Sequence, residues 1–289
     1  VVTYKSDHLA EELRWNEVKR HYPVREKLIR STAAELGLYL DGGLMLVHGG
    51  GTHGHRTVLR WKEEVVRGKT TKMAWEVKWR MDQLSEMIIR TMGEEGIPAV
   101  SVSPSDIMRA DGEKIDMFDP TAIVDLLERG MVPVLRGDLV PDIFGGWSVV
   151  SGDEQMVMLA FLGAKGMIPP IERAGMMMSE DGFHTSYGTK KSRKLDSIGP
   201  DEFHRNLGKW ERVQLTSKTD ASGGIINKLK AAHRIASLGI DTSLFGGMDT
   251  DGLRAFLRGD RPGTLFKGFE GDGRCSLGIC QKNNRGDPH

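Results

Sequence analysis

Two cysteines among 289 residues, Cys275 and Cys280, exclude a disulfide-stapled fold. No second pair accompanies them, so they make no zinc site of familiar spacing and are expected to be free thiols. Neither charge is in excess: Lys plus Arg and Asp plus Glu number 40 each. That balance excludes a general polyanion binder, so no nucleic-acid partner is expected and only a local cationic pocket remains open. Long apolar runs are missing, and the first residues do not follow the pattern of a signal peptide. The expected location is the cytoplasm, with no membrane partner. No internal repeat is present either. The length suits one large α/β domain or two lobes. The 15 methionines read as core filler.

Short apolar runs at 44–48, 98–103, 132–136 and 147–151 read as strands. Between them lie amphipathic stretches at 24–37, 70–94, 120–129 and 153–163. Such alternation predicts parallel βαβ units and a three-layer α/β/α sandwich with a mostly parallel central sheet. Residues 180–220, with Lys190-Lys191 and Arg193-Lys194, read as an exposed excursion. A helix is expected again over 225–238, where Ile225, Ile226, Leu229, Ala232 and Ile235 keep helical spacing. The last twenty residues lack periodicity and read as a loose tail.

The strand-like run Leu44-Met45-Leu46-Val47 leads directly into His48-Gly49-Gly50-Gly51-Thr52-His53-Gly54-His55. Three glycines after a strand let the backbone approach a ligand closely and point N–H groups at an anion. Histidines add side chains that donate to phosphate near neutral pH. A helix beginning within 54–60 would turn its N-terminus to the same anion. The arrangement predicts a site for a transferring or accepting phosphate, built on Gly50, Gly51, Gly54 and His55.

Further segments follow in order: Ile97-Pro98-Ala99-Val100-Ser101-Val102-Ser103-Pro104-Ser105, Gly130-Met131-Val132-Pro133-Val134-Leu135-Arg136-Gly137-Asp138, Val149-Val150-Ser151-Gly152-Asp153, Ser222-Gly223-Gly224 with Lys228, and Gly263-Thr264. With the glycine turn, they make the chain resemble the amino acid kinase superfamily and, within it, the isopentenyl phosphate kinases. The resemblance runs over roughly 1–268. It implies an acceptor-binding lobe over about 1–160, a nucleotide-binding lobe over about 161–268, and a tail at 269–289. It also implies ATP with Mg²⁺, a small phosphate acceptor, and a homodimer by analogy. The resemblance gives His55 the acceptor phosphate, Lys5 the transferring phosphate, and Lys228 the nucleotide phosphates beside Gly223 and Gly224. Asp220 would hold a lysine or, through water, magnesium. No resident metal site is expected. A phosphate acceptor is already ionised near pH 7, so such a kinase needs charge neutralisation and alignment rather than a general base.

Near the acceptor, Ser151 and Gly152 are expected to bind phosphate through turn N–H groups and a capping side chain, with Asp153 orienting a lysine. Gly137 and Asp138 would line the same site. His48 reads as a structural residue at the strand end, and His53 as packing or a second acceptor contact. Met73, Val77, Arg80, Met81, Leu84 and Ile88 recur at helical spacing, with Trp75 and Trp79 as a second pair. They would wall an apolar acceptor group or fill the core. Three features depart from the family. Its Lys-x-Gly-Gly-Ser strand is not in this sequence, which reads as though truncated just after it. Its Thr-Asp-Val-Asp-Gly nucleotide segment is expected at Ile171-Glu172-Arg173-Ala174-Gly175, where Pro169 and Pro170 would disturb a central strand. The tail after Gly268 has no counterpart. A phosphonate kinase of the fosfomycin type and a non-catalytic ligand-binding relative are the alternative functions.

Overall fold

The structure is a computed structural model and describes residues 2–4, 27–40, 43–50, 70–112, 114–186, 190, 192–216 and 224–269. Its strands are β1 (Val2–Tyr4), β2 (Leu46–His48), β3 (Ala99–Ser101), β4 (Met108–Asp111), β5 (Lys114–Phe118), β6 (Val132–Arg136), β7 (Asp138–Pro141) and β8 (Trp147–Val150), followed by β9 (Arg173–Met178), β10 (His184–Thr185), β11 (Arg193–Lys194), β12 (Asp241–Gly246) and β13 (Thr264–Phe266). Seven of them form one sheet in the order β13-β12-β9-β1-β2-β6-β3. Every neighbouring pair in it is parallel except β12 with β13. The mostly parallel sandwich is thus as the sequence predicts.

Residues 27–37 form helix α1, followed by α2 (Thr70–Glu94), α3 (Pro104–Ile107), α4 (Thr121–Glu128), α5 (Gly152–Ala164), α6 (Pro200–Thr216), α7 (Gly224–Ala236) and α8 (Asp251–Leu257). Strand side chains alternate between two apolar cores, which fixes the layers. Val47, Leu135, Met176 and Leu244 pack on one face with α5 and α7. Leu46, Val134, Met177 and Phe245 pack on the other with α1, α2 and α8. Covered on both faces, the strands carry few polar residues. Pro133 fits inside β6 because the β2 ladder starts only opposite Val134, while the Val132 N–H on the other side donates to the Pro98 carbonyl.

Several expectations change. The run 147–151 is a strand, but it pairs antiparallel with β7 in a separate hairpin. The excursion over 180–220 is not a solvated loop throughout, because α6 buries Phe203 and Trp210 in the core. Pro169 and Pro170 sit in the turn before β9 and leave that central strand intact. Met73, Val77, Met81, Leu84 and Ile88 belong to the core against Val132 and Phe245, so their stripe is packing rather than a pocket wall. Trp75 and Trp79 instead stack on the outside of α2, with ring centroids 5.9 Å apart. Among the described residues, no helix is long and apolar enough to cross a membrane.

Candidate active site

In a parallel sheet each crossover helix starts near the carboxyl edge and runs back to the amino edge, where the next strand begins. α2 precedes β3, α5 precedes β9 and α7 precedes β12, so their N-termini gather at the carboxyl edge. Open parallel sheets bind ligands there, and helix N-termini attract anions.

Glycine permits a close approach of three backbones at this edge. The Gly137 N–H donates to the His48 carbonyl at 2.9 Å. A Cβ on Gly137 would lie 3.1 Å from the Gly152 nitrogen; one on Gly152 would lie 3.2 Å from Val47 Cγ1. The end of β2, the turn after β6 and the start of α5 therefore touch, and Gly50 follows two residues after His48. Ser151 caps α5: its Oγ accepts from the Glu154 N–H at 3.1 Å, with Asp153 in the first turn. Lys228 reaches this helix start from α7 and places Nζ 2.6 Å from Asp153 Oδ1. The lysine is 5% exposed. Further along α7, Arg234 grips Glu154 with two nitrogens on two oxygens, at 2.5 and 3.0 Å.

Of the predicted residues, the structure thus joins Ser151, Gly152, Asp153 and Lys228 and leaves Gly50 at the same edge. Gly224 opens α7. Lys5, Gly51, His53, Gly54, His55, Asp220 and Gly223 lie outside the described residues. Asp138 does not line the site. Its side chain is fully buried and accepts from Arg136 Nε at 2.9 Å and the Leu139 N–H at 2.8 Å, with Lys78 Nζ 3.5 Å away. Arg136, buried in turn, also reaches Ser85, Ser101 and Asp82. Sequence reasoning missed Arg136, Ser85, Glu154 and Arg234. For Arg136, one available signal was a charge closing an otherwise apolar strand.

The nucleotide segment needs correction. Ile171-Glu172-Arg173-Ala174-Gly175 runs into the start of β9, at the amino edge, away from this site. At the carboxyl end of the same strand lies a second acidic turn, Ser179-Glu180-Asp181-Gly182. The His184 ring 2.7 Å away holds the Asp181 carboxyl below its ordinary range, with help from Lys194 at 3.1 Å and against the effect of burial. Gly182 has φ of 154°, and a Cβ there would meet Thr264 Oγ1 at 2.9 Å. Gly263 is required as well: a Cβ would fall 1.9 Å from the Leu244 carbonyl oxygen. Thr264 accepts from the Phe183 N–H and donates to the Leu195 carbonyl, tying this turn to β13. A groove of about 420 Å³ runs beside the edge strand β3, between Ser103 and Arg129, and shares no lining residue with the site.

The sequence model of the amino acid kinase family matches residues 19–246. The chain belongs to that family. An isopentenyl phosphate kinase of Methanothermobacter thermautotrophicus is 30% identical over 248 residues, which is 82% of this chain and 88% of that protein. One from Arabidopsis thaliana is 28% identical over 237 residues, 75% of this chain and 68% of its own. Among solved structures, an isopentenyl phosphate kinase superposes with a TM-score of 0.71 at 23% identity, over 92% of this chain and 98% of its own. Carbamate kinase from Giardia lamblia bound to AMP-PNP gives 0.61 at 13%, over 93% and 97%. At such identities, the structural likeness establishes the shared fold alone.

Proposed function

We propose that the chain transfers the terminal phosphoryl group of ATP to isopentenyl phosphate, giving isopentenyl diphosphate and ADP. The observation that carries this reading is Lys228 held 2.6 Å from Asp153 at the glycine-lined start of α5. A lysine restrained there presents a fixed positive charge where two phosphates must meet. The acceptor oxygen is already ionised, so the step needs alignment and charge neutralisation. Lys228 offsets the negative charge on the transferring group, and Asp153 sets its direction. The N–H groups of Gly50 and of the first turn of α5, with Ser151, bind the acceptor phosphate. The turn at 179–182 and Gly224 take the nucleotide side. Magnesium, which the family resemblance implies, would come with ATP and would supply charge neutralisation on its phosphates.

Lys5, Asp220, Gly51, Gly54, Gly223 and His55 complete the proposal from the family resemblance. His55 donates to the acceptor phosphate and to charge developing in transfer. Turnover of ATP with isopentenyl phosphate, other phosphomonoesters and phosphonates tests the reading. Isopentenyl phosphate should be preferred, and His55→Ala should cut kcat/KM for it by about 10²–10³ while affecting ATP far less. A preference for phosphonates, or no turnover in a chain that binds ATP, would refute it.

A further inference from the structure

We propose that His48 is a positioning residue. Through a hydrogen-bond relay from Arg136 and Ser85, it fixes the peptide between Gly49 and Gly50 and aims the Gly50 N–H at the acceptor phosphate. The inference rests on the proposed phosphate site and adds a residue to it that the family resemblance does not name.

Four contacts define the relay. Arg136 Nη1 donates to Ser85 Oγ at 3.2 Å. Ser85 Oγ lies 2.9 Å from His48 Nε2. His48 Nδ1 lies 3.1 Å from the Gly49 carbonyl oxygen. The His48 carbonyl, in turn, accepts from the Gly137 N–H at 2.9 Å. His48, Ser85 and Arg136 are all at most 3% exposed.

Donor and acceptor chemistry gives the relay a direction. A guanidinium only donates, so the serine oxygen accepts from Arg136 and its hydrogen turns to Nε2. A carbonyl oxygen only accepts, so Nδ1 carries the ring proton. The ring is thus the Nδ1–H tautomer, selected at one nitrogen by the partner of the other. Arg136 cannot turn away, because Asp138 and Asp82 hold its other nitrogens. Within a planar trans peptide, C=O and N–H point in opposite directions. Fixing the Gly49 oxygen against the ring therefore turns the Gly50 N–H away from it. Glycines at both positions would otherwise let this peptide rotate freely. A donor held in place before the phosphate binds is worth more than one ordered on binding.

Two measurements test the assignment. In full-length protein labelled with ¹⁵N-histidine and free of substrate, His48 should show the Nδ1–H pattern, and Ser85→Ala should weaken that preference. The Nε2–H tautomer or an imidazolium in the unsubstituted chain would overturn the proposal. In the second, His48→Asn keeps an amide nitrogen near Nδ1, whereas His48→Gln keeps one near Nε2. His48→Asn should hold KM for isopentenyl phosphate near the parent value. His48→Gln should raise it by about 10-fold to 100-fold with KM for ATP unmoved. Equal effects of the two variants, or equal loss for both substrates, would mean that the ring merely fills space. The nitrogen spectrum needs no turnover, so an inactive parent chain would count against the kinase reaction while the spectrum still decides the relay.

Discussion

Lys228 combines burial with a charge, and its contribution to stability and its proposed catalytic role separate by substitution. Its side chain is 6% exposed and that of Asp153 is 20%. Removing the ammonium leaves a carboxylate without its close cation, which costs about 3–5 kcal/mol for a well-buried pair and less where water reaches it. Lys228→Ala should therefore lower both the denaturant midpoint and turnover. Replacing both residues by alanine removes the orphaned charge, so the midpoint should recover in part. Turnover should stay about 10²–10³ below the parent, because the charge proposed to meet the phosphoryl group is still missing. Lys228→Arg should rescue activity only partly, since a planar fork does not fit where a point charge sat 2.6 Å from one oxygen. Urea melts beside steady-state kinetics on the same preparations check this; a double variant that regains turnover with stability would remove Lys228 from the chemistry.

Between α5 and α7, the contacts form a ladder: Asp153 with Lys228, then Glu154 with Arg234. Ser151 and Glu154 have the spacing of a capping box, yet the Glu154 carboxylate goes to Arg234. The fork thus sets the register of one helix against the other. A double-mutant cycle with Glu154→Gln and Arg234→Met should give a coupling of about 0.5–3 kcal/mol, and each single change should lower kcat more than either KM. Additive effects would show that the helices hold register without the fork. On α7, His233 stacks on Phe203 of α6 at 4.1 Å. Burial, with His204 nearby, pushes its pKa down to about 4 from 6.5. The unfolded chain then binds the extra proton first, so this contribution to stability is whole above pH 6.5 and is lost as pH falls towards 4. Phe in place of His233 should flatten the fall in melting temperature over that window; an unchanged slope would place its cause elsewhere.

These elements also show what the sequence made legible. β2 was legible because an apolar run stops at three glycines, and α5 because Ser151 precedes an acidic first turn and a long apolar stretch. α6 was obscured by its polar outer face, although Phe203, Leu207 and Trp210 keep a helical stripe. β9 was misread because the two prolines lie just outside it and its three methionines lack the β-branched signature of a strand. Spacing finds neighbours within one element, and Lys228 was legible because it follows Gly223-Gly224 as the lysine of the resembling family does. Arg136 takes Asp82 and Ser85 from α2, and Glu154 takes Arg234 from another helix 80 residues away; no local pattern records such pairs.

At the scale of the molecule, the site lies where one sheet edge serves two ends of the chain. In the proposed division, β2, β6 and the start of α5 would bring the acceptor side, and β9, β12 and α7, their neighbours in the sheet and core, the nucleotide side. The backbone contacts among His48, Gly137 and Gly152 belong wholly to the first set, and Lys228 crosses from the second. Each ligand should therefore stabilise the fold on its own. A ligand at a hundred times its Kd adds about 2.7 kcal/mol. In a chain of this size, that raises the melting temperature by roughly 4–5 °C. On the proposed reading, Lys228→Ala removes a nucleotide contact but leaves Gly50, Ser151 and Gly152 in place. The rise with Mg²⁺ and ATP should shrink markedly in that variant, while the rise with isopentenyl phosphate should persist at matched concentration. Thermal melts of parent and variant with each ligand alone check this. Loss of both rises together would mean that the two ligands share one contact at Lys228, and the division into an acceptor side and a nucleotide side would fail.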